Sequence, residues 1–223
     1  MIARGWRIGG WRGGWSGGWR GGWIGCWRDW WIGALLPLVL AACGGKGGGG
    51  PTPEPGPVPA DPKAQAADVQ AVQAKVPAGI AITFEAVLGD KERHVAIQPK
   101  GWETGVIPGR VKPPVGSSLG FMTAFSTGTN CDGDCSPKDW AKVADSVEFA
   151  QFAGGSWKIE KDEKLADGRI LVAKGEDRVD IVLAKWKDGA DRYFMCRVTL
   201  DKEIVSAAPA FEEACRRLTV RNW

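Results

Sequence analysis

Residues 178–200 read RVDIVLAKWKDGADRYFMCRVTL, and this stretch decides the fold class. Two apolar runs with period-two alternation, 178–186 and 192–200, flank Lys187-Asp188-Gly189, a turn sequence suited to joining antiparallel neighbours. In the second run Phe194, Cys196, Val198 and Leu200 share one face. The pattern extends towards the N-terminus through GRILVA (168–173) and WKIEKDE (157–163), with Asp167-Gly168 as the turn between them. In KIEKDEKLADGR the charges alternate in sign, as on a solvated strand face. Earlier still, Ile80, Ile82 and Phe84 alternate with small or polar neighbours, and Gly89-Asp90 marks a turn into HVAIQ, so a hairpin is expected there. LGFMTAFS (119–126) reads as a further strand.

Three helices are expected around these strands. Asp61, Pro62 and KAQAADVQAVQAKV predict a short Ala-rich helix, capped by Asp61 and ended before Pro77. The second has Ser136 as its N-cap, Pro137 at the first helical position and Asp139 in a capping-box-like S-x-x-D, with Trp140, Val143, Ala144 and Val147 on one face. The third follows Pro209 and places Phe211, Ala214, Cys215 and Leu218 at i, i+3, i+4 and i+7. The prediction is an α+β domain, an antiparallel sheet of about six strands covered by two or three helices. It occupies residues 63–223, with a core from 76 to 223, which is chain enough for one core but not two.

The rest of the chain has a different composition. Hydrophobic residues make up 44% and charged residues 25% of the 223 positions, but the 32 glycines and 13 tryptophans are concentrated near the N-terminus. Trp11, Trp15, Trp19, Trp23 and Trp27 recur every four positions with glycine pairs between most of them, a pattern from which no packed core can form. It reads as repetitive sequence ahead of the true leader; an aromatic interaction tail is the other reading. Residues 30–42, WWIGALLPLVLAA, are shorter than a spanning helix and match a signal h-region. Leu40, Ala41, Ala42 and Cys43 resemble the lipobox of bacterial lipoproteins, which implies a signal peptide over 1–42 and an acylated Cys43 as the mature N-terminus. Acyl chains insert at about 0.8 kcal/mol per buried CH₂, and more than one is needed for stable anchoring; lipoproteins of this kind usually carry three. By the same resemblance, Gly44 after the cysteine favours the outer membrane over the inner. Residues 43–62 continue as GGKGGGGPTPEPGPVPADP after the cysteine, a flexible and then extended tether.

Charge and cysteines narrow the function classes. Five of the 29 Lys and Arg, and one of the 26 Asp and Glu, precede Cys43, which leaves 24 basic against 25 acidic residues. A near-neutral domain without a basic cluster lacks the footprint of a nucleic-acid binder. Of the six cysteines, Cys26 leaves with the leader and Cys43 takes the lipid. Four remain in an exported, oxidising setting, and they allow three pairings. Cys196 and Cys215 both share a face with core residues, which selects that pair and leaves Cys131 with Cys135 in a small loop. The longer bridge is worth about 3 kcal/mol on the chain-entropy account. A zinc site built from all four is the rival, but only one knuckle-like spacing exists.

No catalytic constellation emerges. Gly116-Ser117-Ser118-Leu119-Gly120 fits G-x-S-x-G, but a nucleophile elbow needs a strand before it and a helix after it, with the histidine later in the chain. Pro113-Pro114 precede it, and the sole histidine, His94, lies upstream. A Gly-Ser turn and a hairpin histidine are the better readings. Asp132 and Asp134, with Asp139, are weak candidates for calcium, lacking the EF-hand pattern; a polar disulfide loop is expected instead. Trp102, Trp140, Trp157 and Trp186 are expected in the core, with a sugar-stacking platform as the alternative.

Pro99-Lys100-Gly101-Trp102 after the early hairpin, the YFMC run and the closing AFEEAC helix together resemble the PsbP-like superfamily, which includes bacterial DcrB-type envelope lipoproteins and small nuclear Ran-binding relatives. The resemblance covers residues 76–223. It implies an antiparallel sheet between helices and a binding or assembly role without a shared active site, so it transfers no functional residues; the two disulfides have no counterpart in it. The expectation is a non-catalytic, lipid-anchored envelope protein without cofactor, attached to the membrane through Cys43 and binding an envelope protein. A carbohydrate- or peptidoglycan-binding module using exposed Trp is the alternative.

Overall fold

Strand alternation with both faces apolar demands cover on both sides of a sheet, and the fold supplies it. The computed structural model describes residues 62–223. In chain order the elements are α1 (Pro62–Gln73), β1 (Phe84–Leu88), β2 (His94–Pro99), β3 (Glu103–Thr104), β4 (Arg110–Lys112), β5 (Ala124–Asn130), α2 (Trp140–Ala144), β6 (Lys158–Leu165), β7 (Gly168–Lys174), β8 (Arg178–Lys185), β9 (Tyr193–Asp201), α3 (Ala208–Arg216) and β10 (Thr219–Val220). The α+β class, antiparallel pairing and both disulfides are as expected. The strands, however, form two sheets, a larger one in the order β3-β4-β5-β9-β8-β7-β6 and a smaller one in the order β1-β2-β10.

The larger sheet has two distinct faces. From its first face Ile170, Val172, Ile181, Leu183, Phe194, Cys196, Val198 and Leu200 enter a core closed by Phe211, Ala214, Cys215 and Leu218 and by Ile82, Phe84 and Ile97. Phe211 is fully buried, with ring centroids 5.3 Å from Phe84, 5.8 Å from Trp102 and 6.3 Å from Phe125. The Cys196–Cys215 bond fastens α3 to β9. On the second face Leu171, Ala173, Val182, Ala184 and Tyr193 meet Trp140, Ala144, Phe149 and Phe152. Among the described residues no helix is long and apolar enough to cross a membrane.

Several expectations are corrected. The strand expected over 119–126 runs instead from Ala124 to Asn130. Residues 119–123 precede it as a turn, held where Thr123 Oγ1 donates to the Leu119 carbonyl at 2.6 Å. The first hairpin begins at Phe84 rather than Ile80. The first helix stops at Gln73, whose amide donates to the Ile82 carbonyl and accepts from the Phe84 N–H; its expected cap, Asp61, lies outside the described residues. The second helix starts at Trp140 with Asp139, not Ser136, as its N-cap. It continues as a π-helical turn over Asp145–Phe149, whose extra residue per turn shifts the phase of the following residues. Val147 is therefore 39% exposed while Glu148 is buried.

Close approach explains two glycines. A Cβ on Gly89 would lie 1.9 Å from the ring of His94, which is buried against Phe194. A Cβ on Gly168 would lie 2.1 Å from the Ala184 carbonyl oxygen, so the turn between β6 and β7 requires glycine there.

Ion pairs hold α3 on two sides. Lys75 reaches Glu213 at 2.7 Å, and Arg217 bridges Glu213 and Asp68, joining α3 to α1. Lys161 meets Glu212 at 2.7 Å and Arg216 meets Glu163 at 2.5 Å, joining α3 to β6. The Lys75 hydrogen bond, with help from Arg217 and against partial burial, holds the Glu213 carboxyl below the usual range. A depressed carboxyl contributes stability above its unfolded pKa and loses it as pH falls through the folded one.

Two outcomes follow. Phe211→Ala lowers unfolding free energy by about 3–5 kcal/mol in urea denaturation, because three aromatic neighbours lose their common partner. Glu213→Gln costs about 1 kcal/mol or less at neutral pH. Its stability also declines less than that of the parent as pH is lowered below the usual carboxylate range, a difference that thermal melts at stepped pH will read.

Candidate functional site

The side chains singled out from sequence are largely engaged in local structure. Cys131 and Cys135 are bonded. Between them Asp132 takes a positive φ of 50°, and its N–H donates to Asn130 Oδ1 at 2.9 Å. Asp134 accepts from the Ser136 N–H at 3.0 Å, a bond that, with further help from Ser136, holds its carboxyl below the usual range. Asp139 accepts from the Lys142 N–H and pairs with its ammonium at 2.8 Å. Among the described residues no three His, Cys, Asp or Glu side chains form a group that could hold a metal ion. Ser118 lies in an exposed turn, whereas His94 is buried with Nε2 3.4 Å from Thr127 Oγ1. The lipobox residues Leu40, Ala41, Ala42 and Cys43 lie outside the described residues.

The tryptophans are spread over separate places. Trp140 is buried and donates its indole N–H to the Ala190 carbonyl at 2.8 Å. Trp102 is half-buried against Phe211, Trp157 packs on Phe152 under the Arg178 guanidinium, and Trp186 borders the second core.

Beside Trp140 lies a buried polar cluster. Glu148 accepts from the Tyr193 hydroxyl at 2.7 Å and from Asn130 Nδ2 at 3.3 Å, and Asn130 Nδ2 also meets the Tyr193 oxygen at 2.8 Å. Burial first, and then the bond to Glu148, push the Tyr193 hydroxyl well above the usual phenol range. The cluster ties α2's continuation to the last residue of β5, where the disulfide loop begins.

The arrangement that can bind lies on the same face, farther along β5. In the register of the sheet Arg110 on β4 stands opposite Ser126 on β5, and Ser126 opposite Arg197 on β9. Directly opposed residues share a face, so two guanidinium groups flank one hydroxyl across about 10 Å of sheet. Arg197 donates to Gln151 Oε1 at 2.9 Å, and Ser126 donates to the Arg197 carbonyl at 3.3 Å. Ile107, Pro108, Gly128, Thr129, Met195 and Thr199 complete a groove of about 500 Å³ around this row. A Cβ on Gly128 would meet no atom within 4 Å, so the floor of the groove is open. A second groove of about 430 Å³ adjoins it. It shares Pro108, Thr127, Gly128 and Thr129 and continues to Val87, Leu88 and Gln98.

Sequence reasoning missed Arg110, Ser126, Thr129 and Arg197. One signal was present: with Phe194, Cys196, Val198 and Leu200 facing a core, Met195, Arg197 and Thr199 must occupy the opposite face, which is less apolar than the corresponding Val182 and Ala184 of β8.

Tyr193→Phe removes the strongest donor to a buried Glu148 and lowers stability by about 1–3 kcal/mol, measured by chemical denaturation; Ser118→Ala, in the exposed turn, leaves it within about 0.5 kcal/mol.

No protein-family model matches the chain, and no curated protein matches it in sequence. Among the described residues, the groove of Arg110, Ser126 and Arg197 is the feature on which a functional reading rests.

Proposed function

We propose that this chain is a non-catalytic, lipid-anchored protein of the cell envelope, tethered through an acylated Cys43, whose α+β domain binds or helps to assemble a protein partner. The observation that carries the binding role is the groove on the second face of the larger sheet. It combines two arginines, hydroxyls and aliphatic side chains on rigid strands, without a convergent set of acid, base and nucleophile. A PsbP-like relationship, as implied by Pro99-Lys100-Gly101-Trp102, YFMC and AFEEAC, belongs to the same reading.

Two features support the envelope setting. Both cysteine pairs are bonded, with Cα atoms 4.7 and 5.4 Å apart, the outcome that an oxidising compartment favours. The first helix starts at Pro62, where the Gly- and Pro-rich tether from Cys43 ends. Gly44 points to the outer membrane. The carbohydrate- or peptidoglycan-binding alternative has less support, because Trp102, Trp140, Trp157 and Trp186 are each packed on a core and do not share one exposed surface.

The test is the intact mass of the protein from the membrane fraction, before and after reduction and alkylation. The expected species begins at acylated Cys43 and exposes the thiols of Cys131, Cys135, Cys196 and Cys215 only after reduction. A soluble chain that retains Met1 and alkylates without reduction overturns the envelope assignment.

A further inference from the structure

We propose that the end of β5, from Gly128 to Asn130, accepts an extended segment of a partner protein as an added strand, and that this segment alternates acidic with aliphatic residues. The proposal rests on the binding role above and names the chemistry of the partner.

The backbone supplies the first observation. β9 pairs with β5 along its whole length, from Ala124 to Asn130. On the other side β4 reaches only Phe125 and Ser126, after which the Thr127 N–H donates to the Gly109 carbonyl at 3.0 Å. Alternate residues of a strand direct their N–H and C=O groups to the same side. Thr129 therefore presents both groups in the direction of Thr127, away from β9, and no further strand pairs there among the described residues.

The free edge of β6 and the uncovered end of β5 differ in how they treat such groups. At the β6 end the edge strand is exposed along most of its length, carries Lys158, Lys161 and Lys164, and contains a register shift between Ile159 and Lys161. Edge lysines and bulges discourage strand addition. At the end of β5 stand Gly128, Thr129 and Asn130, without charge, proline or register shift.

Charge identifies the occupant. Arg169, Arg178, Arg192, Arg216 and Arg217 each have a carboxylate within 4.0 Å. Arg110 and Arg197, on one face of the groove, have none among the described residues. Of the acids near Arg197 in the register, Asp180 accepts from Thr199 and pairs with Arg178, and Asp201 accepts from the Met122 N–H; Glu103, opposite Lys112 on β3, lies diagonal to Arg110 but forms no ion pair with it. A strand laid along Thr129 sends alternate side chains to opposite faces. One row meets Arg110 and Arg197. The other meets Val87, Leu88 and Gln98 across the second groove, where Leu88 is 52% exposed. Main-chain bonds with alternating side-chain pockets are the chemistry of strand addition.

The experiment uses the acylated full chain in detergent and a terminally blocked, fluorescent peptide of alternating Glu and Val, about eight residues long. Saturable binding that weakens with added salt is expected. Arg110→Gln and Arg197→Gln each weaken it about tenfold without altering thermal unfolding, and Gly128→Val, which fills the open floor, weakens it as well. N-methylation along one edge of the peptide, which removes the N–H groups that a strand needs, abolishes it. The proposal is overturned if both arginine variants bind like the parent, if the N-methylated peptide or a Lys-Val counterpart binds equally well, or if the groove is closed by a second copy of the chain, seen as a dimer that Gly128→Val dissociates. A photo-crosslinker in intact cells separates this inference from the broader role. Capture of a protein through Asp188 but not Thr129 overturns the strand-addition site alone, whereas capture through neither overturns the binding role too.

Discussion

The double pairing of β9 is the constraint on which the rest of the structure depends. This strand is bonded to β5 on one side and β8 on the other over nearly its whole length, so the direction of its side chains is fixed twice. Phe194, Cys196, Val198 and Leu200 must enter one core, and Tyr193, Met195, Arg197 and Thr199 must face the other way. The first row is completed by α3, which the Cys196–Cys215 bond, Phe211 and flanking ion pairs hold in place. The second row changes character along its length. Tyr193 joins the core of Trp140 and Phe149, while Met195, Arg197 and Thr199 line the groove.

This division separates a closed half of the sheet from an open one. The half beneath α2 is closed by aromatic packing and by the buried Glu148, Tyr193 and Asn130 cluster. Several charges elsewhere on the surface are matched in short pairs, as where Arg169 lies between Asp145 and Asp162. Arg110 and Arg197 have no carboxylate partner among the described residues, and the fold places them beside the backbone groups that Thr129 turns away from β9.

Where the residues themselves carry a period, the sequence was legible. β7, β8 and β9 follow from uninterrupted alternation, α3 from the spacing of Phe211, Ala214, Cys215 and Leu218, and the disulfides from the faces those elements present. β5 was placed too early because Leu119, Phe121 and Met122 are apolar, although Phe121 and Met122 are exposed, and because its true end, Gly128 to Asn130, is polar. β3, β4 and β10, of two or three residues each, are too short to express a period. A π-helical turn inverted the expected burial of Val147 and Glu148, since one extra residue in a turn changes the phase of all that follow. The groove was invisible because Arg110 and Arg197, far apart in sequence, become neighbours only through the register of β4, β5 and β9.

The connectivity of the two disulfides has a consequence for maturation. The four cysteines of the described domain are joined first to second and third to fourth, without interleaving. An oxidant that links cysteines in chain order thus makes both native bonds directly. Cys131 is consumed by Cys135 four residues later, before Cys196 appears, and Cys196 then has Cys215 as its only remaining mate in the domain. Pairing in chain order therefore calls for no reshuffling of mispaired bonds, unlike the pairing of proteins whose bridges cross.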